Sequence, residues 1–358
     1  MVIILTDENS EKKGSNIYVG FSEIVSDRVE KWKNKKNDAW RAYRKQWEEN
    51  PKNLVVPKFP LHVDVETSSY CNLACPMCTR TILVEKNKWR QNKHFDFDLF
   101  KKIIDEGAEK GLCAINLNNF GEPLLNPRLS EMVKYAKEKG IIDVFFHTNA
   151  VVLDDELSRK LITSGLDRII ISFDYPDKKR FEEIRVGANY ESVLKNILNF
   201  IKVRSELNVI NPLIRINVIK FPDMDETVLD DLKKLFLDNG ADSIGLLDYH
   251  NSSENDNAPI AKSYPEGYKS KFVCPQIISR LNIHENGDVV PCCTDINAEL
   301  KLGNVKDKSL EDMWNSEKLV GIRNAQMNGQ FYKIPFCAKC DRAIKEDGKL
   351  AQTKDNAD

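Results

Sequence analysis

From residue 60 onward the chain repeats one unit six times, a short apolar run followed by a helical stretch. A sequence of that form is constrained to a parallel sheet with helices packed on it. The runs predict strands near 62–67, 114–119, 142–148, 167–173, 213–219 and 242–248, with helices near 96–110, 127–139, 155–164, 190–204 and 226–238. Strands buried on both faces read as continuously apolar, and these do not. His62, Asp64 and Glu66 alternate with Val63 and Val65, Asn116 and Asn118 with Ile115 and Leu117, and Arg215 and Asn217 with Ile214, Ile216 and Val218; His147, Asn149, Ser172 and Asp174 continue the pattern. Helices cover the apolar face, so the polar face lines an open concavity, as in an incomplete barrel. A closed, dry barrel would strand those groups at about 1 to 3 kcal/mol each.

The 358 residues suffice for one large domain and a smaller one. Lys and Arg number 53 against 55 Asp and Glu, so no global field draws the chain onto nucleic acid. Met1 to Leu5 is apolar for too few residues to make a signal peptide or a membrane span, which predicts a cytoplasmic protein. Residues 24–50 predict one long amphipathic helix ended by Pro51, with Val25, Val29, Trp32, Trp40, Tyr43 and Trp47 packing on the main body. From Tyr249 to Lys271 the chain is polar and irregular, a linker or mouth-covering loop. Leu281–His284 and Val289–Pro291 then read as a hairpin, a helix follows from about Ser309 to Gln326, and a disordered polar tail is expected after Asp347. These breaks give an N-terminal extension (1–59), the barrel (60–250), a linker (251–271), a small C-terminal unit (272–345) and the tail (346–358).

In a reducing cytosol nine cysteines point to metal ligation or catalysis rather than disulfides. Cys71, Cys75 and Cys78 form a C-x3-C-x2-C run directly after the first strand. Three thiolates on a tight loop grip three irons of a [4Fe–4S] cube and leave the fourth iron open, whereas structural zinc asks for four ligands. The second set, Cys274, Cys292, Cys293, Cys337 and Cys340, surrounds the hairpin and ends in C-x2-C. Four of these suit either a closed iron–sulfur cluster or an all-thiolate zinc site. Cys292 follows the strand, which leaves Cys293 as the spare thiol. Cys113, between Leu112 and Ala114, reads as an ordinary core cysteine.

The C-x3-C-x2-C run after the first strand resembles the signature of the radical S-adenosylmethionine (SAM) superfamily. Gly121-Glu122-Pro123 after the second strand is similar to that family's GGEP motif, with Phe120 at the first glycine, and implies contacts to the methionine amino group. Thr148-Asn149 resembles the TNG step, with Ala150 for glycine, and Ser172-Phe173-Asp174 resembles the SxD element near the SAM ribose. Asn217 and Leu247, on the fifth and sixth strands, complete the cofactor contacts that the resemblance implies. Residues from Cys274 to Cys340, with Gly287-x4-Cys292, Gly303-Asn304, Trp314, Arg323 and Cys337-Ala338-Lys339-Cys340, resemble a SPASM/twitch auxiliary-cluster domain. That resemblance favours iron–sulfur over zinc, held by Cys274, Cys292, Cys337 and Cys340. The fold class expected is therefore α/β, a partial (βα)6 barrel of the radical SAM type with a small C-terminal α+β SPASM/twitch domain.

The cofactors implied are SAM, a SAM-binding [4Fe–4S] cluster and an auxiliary [4Fe–4S] cluster, with a reductase or a flavodoxin- or ferredoxin-type protein as electron donor. SAM cleavage to a 5′-deoxyadenosyl radical and hydrogen abstraction from the substrate follow from the resemblance. Arg215, Asp248, Tyr249 and His250 at the strand ends are candidates for specificity, and Asp248 or His250 for proton removal. An epimerase would need a hydrogen donor, for which Cys293 or Cys113 serves. A small polar substrate of sugar or cyclitol type is expected, undergoing dehydrogenation or epimerisation. Radical modification of a ribosomally made peptide is the alternative, weakened because residues 1–59 read as essentially one helix and not a leader-binding domain. A non-enzymatic metal-binding interaction protein has no use for a polar concavity, and an RNA-modifying enzyme is disfavoured by the balanced charge.

Overall fold

The computed structural model describes residues 3–5, 21–248 and 267–347. Tyr249, His250, the run from Asn251 to Glu266 and the tail beyond Asp347 lie outside the described residues. The strands are β1 (Ile3–Leu5), β2 (Phe21–Val25), β3 (His62–Val65), β4 (Ala114–Asn116), β5 (Asp143–Thr148), β6 (Arg168–Ser172), β7 (Leu213–Lys220), β8 (Ser243–Asp248), β9 (Arg280–Ile283), β10 (Asp288–Val290) and β11 (Gly303–Asn304). They join in one sheet, ordered β1-β2-β8-β7-β6-β5-β4-β3-β9-β10-β11. Each neighbouring pair from β3 to β8 is parallel, so the six expected βα units form the expected partial barrel.

Four of the intervening helices start where Asp96, Asp154, Asn189 and Asp225 each accept a hydrogen bond from the backbone N–H three residues on. Apolar strand residues, among them Val63, Ile115, Ile169, Ile171, Ile214 and Ile216, are wholly buried against those helices. At roughly 25 cal/mol per Å2, this layer is the main stabilising term.

Both sheet edges are extended by segments outside the six units. At one edge β2 pairs antiparallel with β8, with Phe21 opposite Leu247 and Glu23 opposite Gly245, and β1 adds beyond it. The single helix expected over 24–50 is therefore corrected. Ile24 and Val25 belong to β2, because the open edge of β8 needs a strand to satisfy its backbone groups. The helix is also split into Asp27–Asn34 and Asp38–Lys52, the second capped by the Asn37 side chain, and Pro51 lies inside its last turn. The helix expected from Ser309 is likewise two, Leu310–Trp314 and Glu317–Met327, because Ser316 caps the second. At the opposite edge β9 pairs parallel with β3, from His62 opposite Arg280 to Val65 opposite Ile283, and β10 folds back on β9 as the expected hairpin.

The aromatic stripe of the N-terminal helices closes the end of the barrel where the strands begin. Trp47 stacks on His62 at 5.2 Å between ring centres, and Tyr43 and Trp47 pack with Leu61 and Ala114. Val29 and Trp32 cover Leu213, and Arg168 grips Asp143 through two bonds of 2.9 and 2.8 Å. The concavity is thus sealed at its floor. Replacing Trp47 by Ala removes this plug; we expect about 3 to 5 kcal/mol of lost stability, read as a lower urea midpoint at unchanged slope.

Candidate active site and cluster cavities

The three-cysteine loop rises from the C-terminal end of β3 and runs into the helix Thr79–Glu85, whose N-cap is Cys78. Cys75 is buried, and Cys71 and Cys78 are half-buried. The loop is held from a second loop, since Ala74 N–H donates to the Val186 carbonyl at 2.9 Å. Burial pushes the Cys71 thiol up to about 11 and raises Cys75, so a metal is needed to ionise them at neutral pH. Arg185 offsets that charge. Its guanidinium donates to Cys75 and, at 2.7 Å, to the wholly buried Asp174. The Asp174 carboxylate also accepts the Ile219 N–H at 2.9 Å, so it acts on this loop through Arg185.

Gly121 permits the next contact. A β-carbon there would lie 2.0 Å from the Ser68 carbonyl oxygen, which restricts the position to glycine. Glu122, buried beside it, accepts the Thr148 hydroxyl at 2.6 Å, the Asn149 N–H at 2.8 Å and the Leu124 N–H at 3.1 Å. Burial pushes its carboxyl up to about 7 against those donors. The carboxylate thus spends its acceptors on this chain, clamping the Gly121–Pro123 loop to the end of β5. Asn149 in turn donates to the Asn72 side chain of the cysteine loop at 2.9 Å. Ala150, standing where the resemblance expects glycine, has φ +57, the left-handed conformation glycine adopts without cost.

The inner face of the sheet is a polar layer. Burial works against it, but Arg280 and then His62 hold the Asp64 carboxyl down to about 2; Arg280 lies 3.0 Å away. Asn116 donates to Asp64 at 2.7 Å. Burial pushes Glu66 up to about 8, with Arg90 opposing and hydrogen-bonded Glu285 reinforcing the shift. Arg90 ties the two parts of the chain together, donating to Glu66, to Glu285 at 2.6 Å and to the Ile296 carbonyl at 3.0 Å. It also lies over Trp89 and Phe120, which gives the phenylalanine at the motif's first glycine an aromatic partner set. Arg215 projects over Phe21 of β2, 5.3 Å from the ring centre.

Beyond β9 five thiols line one cavity of about 370 Å3, those of Cys274, Cys292, Cys293, Cys337 and Cys340. Gln326 donates to Cys337 at 3.5 Å, and burial raises Cys274, Cys337 and Cys340. The five thiols share the wall of this one cavity, a donor set of the kind that holds an iron–sulfur cluster. Cys293 lies with its neighbours, hydrogen-bonded to Cys292, and faces Arg280 and Asp64.

The structure brings Asn149, Asp174, Glu122 and the cysteine loop together at the C-terminal ends of the strands. Ser172, Asn217 and Leu247 fall on the same inner face, Ser172 beside Asn217 in register. Two candidates lie away from this group. Side chains alternate, so Asp248 falls on the opposite face from Leu247, where it pairs with Lys220 at 2.6 Å. Cys113 sits at the sealed floor with Tyr43 and Trp47, the wrong end for a hydrogen donor. His250 and Tyr249 lie outside the described residues. Sequence reasoning passed over Arg90, Arg185, Arg280, Asn282 and His284. The last three alternate with Leu281 and Ile283, the same signal that identified the barrel's polar face; Arg185 gave no local signal.

A partial parallel barrel with a three-thiol loop at its open end and a five-thiol cavity against an added strand defines an iron–sulfur enzyme. A profile of the radical SAM superfamily matches residues 65–235, and one of the SPASM iron–sulfur cluster-binding domain matches residues 274–341. The chain belongs to the radical SAM superfamily and carries a C-terminal SPASM domain. Its cofactors are SAM, a SAM-binding [4Fe–4S] cluster and an auxiliary cluster. It is 28% identical over 321 residues to the tungsten-containing aldehyde ferredoxin oxidoreductase cofactor-modifying protein of Pyrococcus furiosus, covering 77% of this chain and 86% of that one. Against the PqqA peptide cyclase of Gluconobacter oxydans it is 22% identical, over 82% of this chain and 86% of the other. The solved structure of Streptococcus suis SuiB bound to precursor peptide SuiA has the same fold, with a TM-score of 0.59 at 17% identity over 83% of this chain and 74% of that one. No helix among the described residues is long and apolar enough to cross a membrane.

Replacing Ala150 by Gly should raise stability by about 0.5 to 1 kcal/mol, the left-handed strain outweighing the added chain entropy, measured as a urea midpoint. A second outcome concerns acid. Burial, then Arg215 and Arg168, hold His147 down to about 3 from 6.5. The folded state therefore binds fewer protons than the unfolded one between those values. This contribution is present above pH 6.5 and lost as pH falls toward 3. His147→Gln should flatten the loss of stability between neutral pH and pH 5 in denaturation curves of the holoprotein.

Proposed function

We propose that this enzyme abstracts hydrogen from a small polar substrate of sugar or cyclitol type held in the barrel, leading to dehydrogenation or epimerisation. The observation that carries this reading is the inner face itself, where Asn116, Asn217, Asn282 and His284 are buried yet retain polar atoms with no partner among the described residues. In this reading Cys71, Cys75 and Cys78 hold the SAM-binding cluster, and Cys274, Cys292, Cys337 and Cys340 hold the auxiliary one. When bound, SAM and the first cluster supply a 5′-deoxyadenosyl radical. The chain's own part is to orient and to exclude water. Gly121, Glu122, Pro123 and Asn149 shape the loop around SAM; Ser172, Asn217 and Leu247 face it; Asp174 positions Arg185 against Cys75. Arg215 bounds the substrate space beside Phe21. The trapped floor leaves the C-terminal end as the way in. We place the enzyme in the cytoplasm, reduced by a flavodoxin- or ferredoxin-type donor.

The name of the Pyrococcus furiosus relative assigns it a cofactor as target, in keeping with a small substrate. A peptide substrate is the second reading, favoured by the extended similarity to PqqA peptide cyclase.

Anoxic reconstitution with iron and sulfide, followed by SAM and dithionite, tests the proposal. About eight irons per chain are expected, with 5′-deoxyadenosine formation abolished by Cys75→Ala and retained in Cys337→Ala, which should lose about half the iron. No 5′-deoxyadenosine from the fully loaded protein would sink the proposal, and iron loss on Cys337→Ala confined to the first cluster would reverse the ligand assignment.

A further inference from the structure

Strand β9 belongs to the cysteine-bearing C-terminal unit by sequence, yet its inner face continues the barrel wall. Asn282 lies beside Asp64, and Asp64 beside Asn116. One step further, the Glu66 N–H donates to the Ile283 carbonyl at 2.9 Å and brings Glu66 level with His284. The relative exposures are 9% for Asn116, 1% for His284 and 0% for Glu66 and Asn282. Each nevertheless keeps polar atoms without a partner among the described residues: Asn116 Oδ1, Glu66 Oε1, both side-chain polar atoms of Asn282, and His284 Nε2. Native interiors pair more than about nine in ten of such atoms, because an unpaired one loses its water without replacement. Five on three adjoining strands mark a place prepared for a ligand.

Their chemistry restricts that ligand. Asn116 spends its amide nitrogen on Asp64 and on the Asn118 carbonyl, at 2.7 and 3.0 Å, so its oxygen is the atom left over. Glu66 gives its other oxygen to Arg90. His284 is tied to the Asp295 backbone, while burial and then Arg90 push it down to about 4, so its imidazole is neutral and Nε2 presents a bare lone pair. Burial raises the Glu66 carboxyl so that it can donate as well as accept; the rest of the set is three acceptors and one donor, the Asn282 amide nitrogen, and exchanging the two Asn282 atoms leaves that count unchanged. The neighbouring guanidinium groups already face carboxylates: Arg90 meets Glu66 and Glu285, and Arg280 meets Asp64. Phe120 stands edge-on to His284, 6.0 Å between ring centres, and supplies an apolar surface.

We propose that Glu66, Asn116, Asn282 and His284 form a substrate subsite, one wall of it supplied by the auxiliary domain, for an uncharged or cationic group rich in O–H and N–H donors. A polyhydroxylated or amino-substituted ring matches it. A phosphate or carboxylate would bring further acceptors and negative charge to a surface already short of donors. The inference rests on the reading of a small polar substrate.

Glucosamine and glucosamine 6-phosphate are suitable probes, titrated by calorimetry into the reconstituted, SAM-loaded enzyme and soaked into its crystals. Glucosamine should bind with its hydroxyl or amino groups on Asn282 and His284. Binding should weaken about tenfold in His284→Leu, which loses an acceptor, and by less than threefold in His284→Gln, which keeps one. A phosphate seated on these residues, absence of binding by glucosamine, or equal affinity in all three proteins would overturn the subsite. Formation of 5′-deoxyadenosine is scored separately in the same preparation, so the radical reading and the subsite fail independently.

Discussion

The pairing of β9 with β3 is the contact on which the molecule's arrangement depends. Without it the first strand of the barrel would expose its backbone donors and acceptors, and the five-thiol cavity would hang on a linker. With it, the auxiliary domain becomes part of the barrel sheet. Side-chain bonds reinforce the register: Arg280 of β9 reaches Asp64 of β3, and Arg90 reaches Glu66 on one side and Glu285 on the other. Buried ion pairs of this kind add little net stability because desolvation offsets their attraction, but breaking one leaves an uncompensated charge. Their effect is to make one register much better than a slipped one.

The opposite tension runs through the inner face. A layer of His, Asp, Glu, Asn and Arg side chains is costly to desolvate, and the apolar layer under the helices must offset it. Part of the polar layer is paired internally, as where Arg90 meets Glu285 and Arg280 meets Asp64. Part is left open, and the open part lies toward the ends of the strands that carry the cysteine loop. The floor, in contrast, is closed by Trp47, Tyr43 and paired Arg168 and Asp143. One end is built for stability and the other for chemistry, the division expected of barrels with parallel strands.

The six barrel strands were legible because alternation of polar and apolar residues has a period of two and survives in short runs such as His62 to Glu66. The cysteine sets were legible because their spacing is local. What escaped were features whose partners are distant in sequence. Ile24 and Val25 fit the helical spacing of residues 24–50 as well as a strand; the open edge of β8 decides the matter, and Ser243, the partner of Val25, lies 218 residues further on. Arg185 looks like any loop arginine until the fold sets it against Cys75. Asp248 stands at a strand end as a site residue would, but the one-residue step from Leu247 in β8 sends it to the outer face beside Lys220. His284 and Asn282 follow the same alternation as the barrel strands, but only the pairing of β9 with β3 places them on the barrel's inner face.

Because β9 is a strand of the barrel sheet as well as the start of the C-terminal domain, the domain is not a detachable cartridge. A chain cut before β9 would lose the auxiliary thiols and at the same time bare the edge of β3, leaving it open to pair with a second copy.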